Sequence, residues 1–410
     1  MFNFFKKFPL GLDISDFSIE VLQLKREAGK IVVSAHGRTE LEPGIVENGK
    51  IVDKKRLKEK LKELLPEKKL NRMKANKVIL SLPESRTFLH VFKTFKDNLS
   101  DEEAEKIIES HALKTIPLEP DKIYSDYQIV SETDNIQEVL YVAATKEVVN
   151  DYIDVLKGVG LEPLVLDAES ASLARAFKEE GIPDAALLII DIGAEATVLT
   201  LFDKGSIKLS SVVPVAGNHF TKEIAEKLKV SLKEAGELER NCGLDDEKGG
   251  GRVMFVLQGA LNDILNETKG LIGFYEQKEK RMVKKVVLCG GSSLIPKIVS
   301  YFSSNLGIET KLGDPSLICP DLNDIRTESG KLHPVLFSNV VGLALRGLEK
   351  DPESSGINLI PIKERHKAVP GGRKFKGKRS FNLFVIVVFL LVVCFLGWVI
   401  YNYILKLPLV

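Results

Sequence analysis

Two aspartates about 180 residues apart share one local pattern, an apolar run closing on Asp-Ile and a small residue: Leu10-Gly11-Leu12-Asp13-Ile14-Ser15 and Leu188-Ile189-Ile190-Asp191-Ile192-Gly193. Each is followed by a second apolar run, Ile19 to Leu24 and Thr197 to Phe202, so each reads as a hairpin with an acid at its turn. Such a turn can offer backbone N–H groups to a phosphate while its carboxylate reaches a hydrated Mg²⁺. One Asp-Ile-Gly alone is ordinary turn chemistry after a buried strand. Two copies with matching followers point to two similar halves facing one site. Val286-Val287-Leu288-Cys289-Gly290-Gly291-Ser292-Ser293 adds a third buried strand, running into a glycine pair and then a helix expected over Leu294–Leu306. Glycines there let a flat ring or a ribose approach the backbone closely.

Between the two hairpins, Asp101-Glu102-Glu103 opens a helix whose apolar stripe is Ala104, Ile107, Ile108 and Leu113. Strands are expected over Tyr124–Val130 and Val139–Ala144, and a helix over Glu147–Val159. The segment reads as an inserted α+β subdomain, residues 85–166, between a first half at 8–84 and the rest at 167–350. After the second hairpin, Phe220–Lys229 and Leu232–Asn241 read as amphipathic helices, and Val253–Glu279 as a long one. Gly249-Gly250-Gly251 follows no strand and reads as a flexible loop before the long helix.

The 58 basic and 57 acidic residues nearly cancel, which gives no reason to expect nucleic acid as a partner. Cys242, Cys289, Cys319 and Cys394 have neither zinc-site nor disulfide spacing and read as reduced thiols. Phe381–Tyr403 has the length and apolarity of a transmembrane helix. Eight Lys and Arg residues between 363 and 379 precede it and only Lys406 follows. The positive-inside rule therefore puts residues 1–380 in the cytoplasm, at the inner face of the membrane. Residues 351–380 form a basic linker broken by one apolar island, Gly356-Ile357-Asn358-Leu359-Ile360-Pro361. The island reads either as a docking peptide that binds extended or as a last strand of the domain.

Taken together, these residues resemble the actin-like ATPase superfamily and, within it, the PilM family of type IV pilus assembly proteins. The resemblance runs over residues 8–350. It rests on the opening Gly-Leu-Asp-Ile hairpin, Ile116-Pro117, Asp126-Tyr127-Gln128, Val142 to Glu147, Asp191-Ile192-Gly193 and Val341 to Arg346. It implies an α/β fold of duplicated actin-like (ribonuclease H-like) domains, with the inserted subdomain shared with the division protein FtsA. Ile357-Asn358-Leu359-Ile360-Pro361, basic residues and one span resemble the cytoplasmic start of PilN, whose N-terminal peptide docks into PilM.

The resemblance implies ATP and Mg²⁺ as cofactors. Asp13 and Asp191 would hold the metal; Ser15, Gly193 and Thr197 would lie in the phosphate loops; Gly290, Gly291 and Ser292 would cradle the adenosine; Glu169 would reach the attacking water. The first hairpin departs from the family pattern, with Ser15 for the usual Gly, Asp16 after it, and Glu20 where relatives place a Lys. Two carboxylates facing a triphosphate oppose binding, since a like-charge pair at about 4 Å costs roughly 1 kcal/mol in water and about 4 at an effective dielectric of 20. Weakened nucleotide binding with little or no hydrolysis is expected. The function expected is a membrane-anchored scaffold of pilus assembly. Its implied partners are PilN-like and PilO-like membrane proteins, pilus motor ATPases and further copies of itself. The competing readings are a type II secretion platform like GspL and an active ATPase or filament former like FtsA.

Overall fold

The computed structural model describes residues 8–65, 76–95, 101–133, 135–182, 184–327 and 330–361, with the backbone of 373–374. The chain divides into two units, residues 1–373 and 374–410. The span expected at 381–403 lies outside the described residues, as do Cys394 and most of the basic linker. Among the described residues no helix is long and apolar enough to cross a membrane.

In the first half, β1 (Leu10–Ile14), β2 (Ser18–Glu27) and β3 (Lys30–Glu40) form an antiparallel meander. Helix α1 (Lys54–Leu64) starts at Asp53, whose carboxylate accepts from the Lys55 and Arg56 amides as an N-cap. Strand β4 (Lys77–Leu82) then returns parallel to β1. The chain next leaves the sheet to form β5 (Thr87–Phe95), α2 (Asp101–Leu113), β6 (Ile123–Glu132) and β7 (Ile136–Thr145). These three strands run antiparallel in the order β6–β7–β5. They build a separate small core with Ile108, Ala112 and Ile116, while Ile107 of the expected helical stripe stays exposed.

Helix α3 (Lys146–Gly158) and β8 (Glu162–Ala168) belong to the first half. Strand β8 lies parallel to β4 at the edge of the first sheet, and α3 buries Val149, Tyr152 and Leu156 in that half's core. The expected insertion reached to 166, but its own sheet ends at Thr145. Helix α4 (Glu169–Ala176) crosses to the second half.

There β9 (Ala186–Ile192), β10 (Thr197–Asp203) and β11 (Ser206–Val213) repeat the meander. Helices α5 (Gly217–Leu228), α6 (Leu232–Asn241) and α7 (Arg252–Glu279) follow. Strands β12 (Val283–Cys289) and β13 (Glu309–Leu312) then lie parallel to β9. The two sheets read β3–β2–β1–β4–β8 and β11–β10–β9–β12–β13, one topology used twice. Leu188, Ile189 and Ile190 are all fully buried because both faces of β9 are covered, which is why the strand reads as a continuous apolar run.

Helix α8 (Ile298–Leu306) starts later than the sequence suggests, because Pro296 separates it from a short 3₁₀ turn at Gly291–Leu294. Helix α9 (Ser338–Gly347) returns to the first half and crosses α4. The crossing depends on Gly342: a Cβ there would stand 1.8 Å from the Ser172 carbonyl oxygen.

Candidate functional site

The repeated topology brings the two hairpin turns to opposite walls of one cavity of about 540 Å³. Asp13, Ser15, Glu169, Asp191, Gly193, Gly290, Gly291 and Ser292, the residues that the family resemblance singles out, all line it. The register explains why. Asp13 pairs across the strands with Glu20, and Asp191 with Val198, so the two acids occupy equivalent places at the ends of β1 and β9. Gly290 has φ +81°, and a Cβ on it would lie 2.2 Å from Asp191 Oδ1. Gly290 therefore lets the backbone press against the second aspartate, a conformation and an approach closed to other residues.

The carboxylates stand close together with little positive charge among them. Burial, and then the charge of Glu20, pushes Asp13 up to about 7. Burial, and then Asp13, does the same to Asp191. Glu169 is held well above its usual range by burial and by the charges of Asp191 and Asp13. Asn339, at the start of α9, hydrogen-bonds Asp13 and donates to Ser81 Oγ at 2.9 Å. Glu169 accepts from the Glu84 amide at 3.0 Å, while the Glu84 carboxylate accepts from Ser210 Oγ at 2.6 Å and so links the two halves.

Among the described residues no group of three or more His, Cys, Asp or Glu is arranged to hold a metal ion alone. Two buried aspartates, Asp13 adding to the rise of Asp191, still suit a hard divalent ion such as Mg²⁺, which takes one or two carboxylates and fills its shell with water and phosphate. The donor set therefore fits a metal that arrives with a phosphorylated ligand.

Three expectations for this region change. Thr197 does not face the cavity; its hydroxyl donates to the Val215 carbonyl at 2.7 Å inside the second half. Asp16 is held by the Gly49 amide, which donates to it at 2.8 Å, and it lines a smaller cavity of about 80 Å³ that shares Asp13, Ser15, Glu169 and Asp191 with the first. Glu20 faces the cavity but is paired with Arg38, whose Nε lies 2.8 Å from its Oε1. Burial still raises Glu20 to about 7 against the pull of Arg38. Ser15 acts on its own turn, its Oγ accepting from the amides of Ser18 at 3.0 Å and Phe17 at 3.3 Å. Two N–H groups that a glycine turn would leave for phosphate are thus already engaged.

The apolar island forms a second site. Ile357, Asn358, Leu359 and Ile360 are buried, and Pro361 is half-buried. The Leu359 amide donates to the Leu166 carbonyl at 2.8 Å. Asn358 Oδ1 accepts from the amides of Leu166 at 3.2 Å and Ile360 at 3.1 Å, its Nδ2 donates to the Leu164 carbonyl at 3.3 Å, and its own amide donates to Asp126 at 2.9 Å. Arg346, 1 % exposed, closes the groove: Nη1 donates to the Ile357 carbonyl at 2.6 Å, Nη2 to Gly356 at 3.1 Å and Nε to Pro352 at 2.9 Å. It also pairs with Asp167 at 2.7 Å. Burial alone would raise Asp167, but Arg175 and Arg346 together hold it below the usual carboxylate range. The segment, which is not a strand of the sheet, lies against the body of its own chain, between β8, the inserted sheet and α9. Asp126, Arg346 and Asn339 were not identified as site residues from sequence, since only the packing of distant segments shows their roles.

Comparisons with known proteins follow the same lines. The family described as "Type IV pilus assembly protein PilM" matches residues 11–348. The division protein FtsA of Pseudomonas aeruginosa is 24% identical over 220 residues, 49% of this chain and 51% of FtsA. FtsA of Bacillus subtilis is 25% identical over 177 residues, 38% of this chain and 39% of FtsA. The chain thus spans about half the length of these curated relatives or less. The solved "PilM-PilN type IV pilus biogenesis complex" superposes with a TM-score of 0.71 at 24% identity, covering 83% of this chain and 98% of that one. The ethanolamine utilization protein EutJ from Carboxydothermus hydrogenoformans gives 0.50 at 18% identity, covering 83% and 90%. Both show the actin-like fold.

Proposed function

The chain belongs to the PilM family of type IV pilus assembly proteins, and on that premise we propose that it is a scaffold of pilus assembly whose partner groove is filled by its own segment 356–361. One observation carries this reading: Asn358 and Leu359 are held through both backbone and side chain in a groove that β8, Asp126 and Arg346 make for them. The residues a PilN-like partner would supply are here part of the same polypeptide. Residues 381–403 would attach this body to the inner membrane, and PilO-like proteins, motor ATPases and further copies would be reached from it.

The cavity between the halves would bind ATP. Asp13 and Asp191 would hold Mg²⁺, the metal supplying positive charge to the phosphates. Ser292, whose Oγ donates to the Gly193 carbonyl at 3.0 Å, fixes the second phosphate loop against the glycine turn. Glu169 stands where it could orient a water, but its pKa, raised by burial and the two aspartates, leaves it a poor place for negative charge. With the amides of Phe17 and Ser18 occupied by Ser15, the site would bind nucleotide weakly and turn it over slowly.

A labelled peptide of residues 355–367, titrated into the full chain, tests the scaffold reading. The wild-type chain, its groove filled, should bind weakly, and an Asn358→Ala, Leu359→Asp chain, its own segment displaced, should bind well. No binding to the double variant would refute a docking groove. The same preparations should hydrolyse ATP far more slowly than ordinary ATPases. Ordinary turnover abolished by Asp191→Ala would favour the FtsA-like reading instead.

A further inference from the structure

Asp13, Glu20, Glu169, Asp191 and Glu239 line the cavity, and only Arg38 and Arg240 oppose them there. A phosphorylated ligand entering so acidic a cleft needs a fixed positive charge. The first half offers little from its backbone, because Ser15 engages the turn amides.

The strand register places a cation next to that turn. Asp13 faces Glu20 across β1 and β2, and Glu20 faces Arg38 across β2 and β3. Residues directly opposite one another share a sheet face, so the three make a row pointing into the cavity, each strand about 4.8 Å from the next. The Arg38 side chain is only 12% exposed. Its Nε donates to Glu20 at 2.8 Å and its Nη1 to Glu40 at 3.3 Å, while Nη2 makes no hydrogen bond among the described residues. The Phe17 ring, in the hairpin turn, lies 6.0 Å from the guanidinium carbon. The guanidinium is thus oriented on one edge and open on another, beside the turn where phosphates would lie.

We propose that Arg38 is the phosphate-contacting cation of the first half, the residue that makes the cavity prefer a nucleoside di- or triphosphate to the bare nucleoside, with Glu20 as the positioning residue that fixes its guanidinium through Nε. The inference rests on the nucleotide reading above. Glu20 neutralises Arg38 and orients it for a stronger anion, since a guanidinium held through Nε and Nη1 still has the N–H groups of Nη2 to give to phosphate.

Calorimetric titration of the full chain with Mg-ATP and, separately, with adenosine tests it. Arg38→Ala alone would strand a buried carboxylate, so the decisive variant is Glu20→Gln with Arg38→Gln, which keeps the charge balance and most of the volume. ATP affinity should fall at least tenfold in this double variant while adenosine affinity stays within twofold. Glu20→Gln alone removes the competing charge while its amide oxygen still accepts from Arg38 Nε, and should tighten ATP severalfold; unchanged or weaker ATP binding would count against the inference. Unchanged ATP affinity in the double variant would make Arg38 a structural counter-ion and overturn the inference while leaving the nucleotide reading in place. Parallel loss of ATP and adenosine would also overturn it. A wild-type chain that binds neither ligand would overturn the nucleotide reading and this inference with it.

Discussion

Replacing Asn358 by Ala removes three hydrogen bonds of the docked segment 356–361, two to the groove at Leu166 and Leu164 and one within the segment to Ile360, without touching the apolar contacts of Ile357, Leu359 and Ile360. Each neutral bond contributes about 1 kcal/mol net, so the docked state should lose about 3 kcal/mol. At 1.4 kcal/mol per factor of ten, that is roughly a hundredfold in the docking equilibrium. The best reporter is the amide of Leu359, because its partner, the Leu166 carbonyl, belongs to the backbone and survives the substitution. Hydrogen exchange of this amide should speed up about a hundredfold in the variant, while amides in β9 and β12, remote from the groove, keep their wild-type rates. Equal Leu359 protection in the two proteins would show that Asn358 does not hold the segment. An unprotected Leu359 amide in the wild type would refute docking altogether.

The acidic cavity predicts an unusual pH profile. Asp13, Glu20 and Asp191, raised to about 7, bind protons more tightly folded than unfolded, so the stability they contribute is fully present below about pH 4 and is lost as the pH rises to about 7. Thermal melts at pH 5 and pH 8 should show the higher midpoint at pH 5, and Asp191→Asn should narrow the gap; a higher midpoint at pH 8 would contradict the burial argument. Gly290→Ala places a Cβ on a left-handed backbone against Asp191, and should lower the melting temperature and cost ATP affinity at least tenfold by calorimetry. Gly342→Ala would force α9 away from α4, and urea denaturation should show a loss of 2 kcal/mol or more, on the order of other overpacked cores.

The duplicated fold was legible because strands covered on both faces read as unbroken apolar runs, and the two Asp-Ile turns repeat at the ends of such strands. The end of the insertion was not. Helix α3 is amphipathic whichever sheet it covers, and nothing local in Glu162–Ala168 says that it pairs with β4 rather than with the inserted strands. Thr197 was misplaced for a related reason, since a residue beside a turn points by pleat and by local hydrogen bonds that the one-dimensional pattern does not contain. Arg38 belongs to no motif, and Arg346 ends one that does not show what its side chain binds. Their roles come from a cross-strand register and from the packing of α9 on a segment 10 residues further on, both set by the tertiary fold.

The two hairpin turns, alike in topology, differ in how they are fastened. The first is locked on itself: the Ser15 hydroxyl binds the amides within its own turn, and Asp16 ties the next residue to Gly49. The second is fastened outward, the Gly193 carbonyl accepting both the Gly217 amide at 3.1 Å and the Ser292 hydroxyl. A push on the first turn is therefore absorbed where it falls, whereas a push on the second passes at once to the start of α5 and to the glycine turn after β12. Duplication followed by unequal fastening has left the molecule with one turn that serves as an anvil and one that serves as a lever, so any shape change that follows occupancy of the cavity should start in the second half.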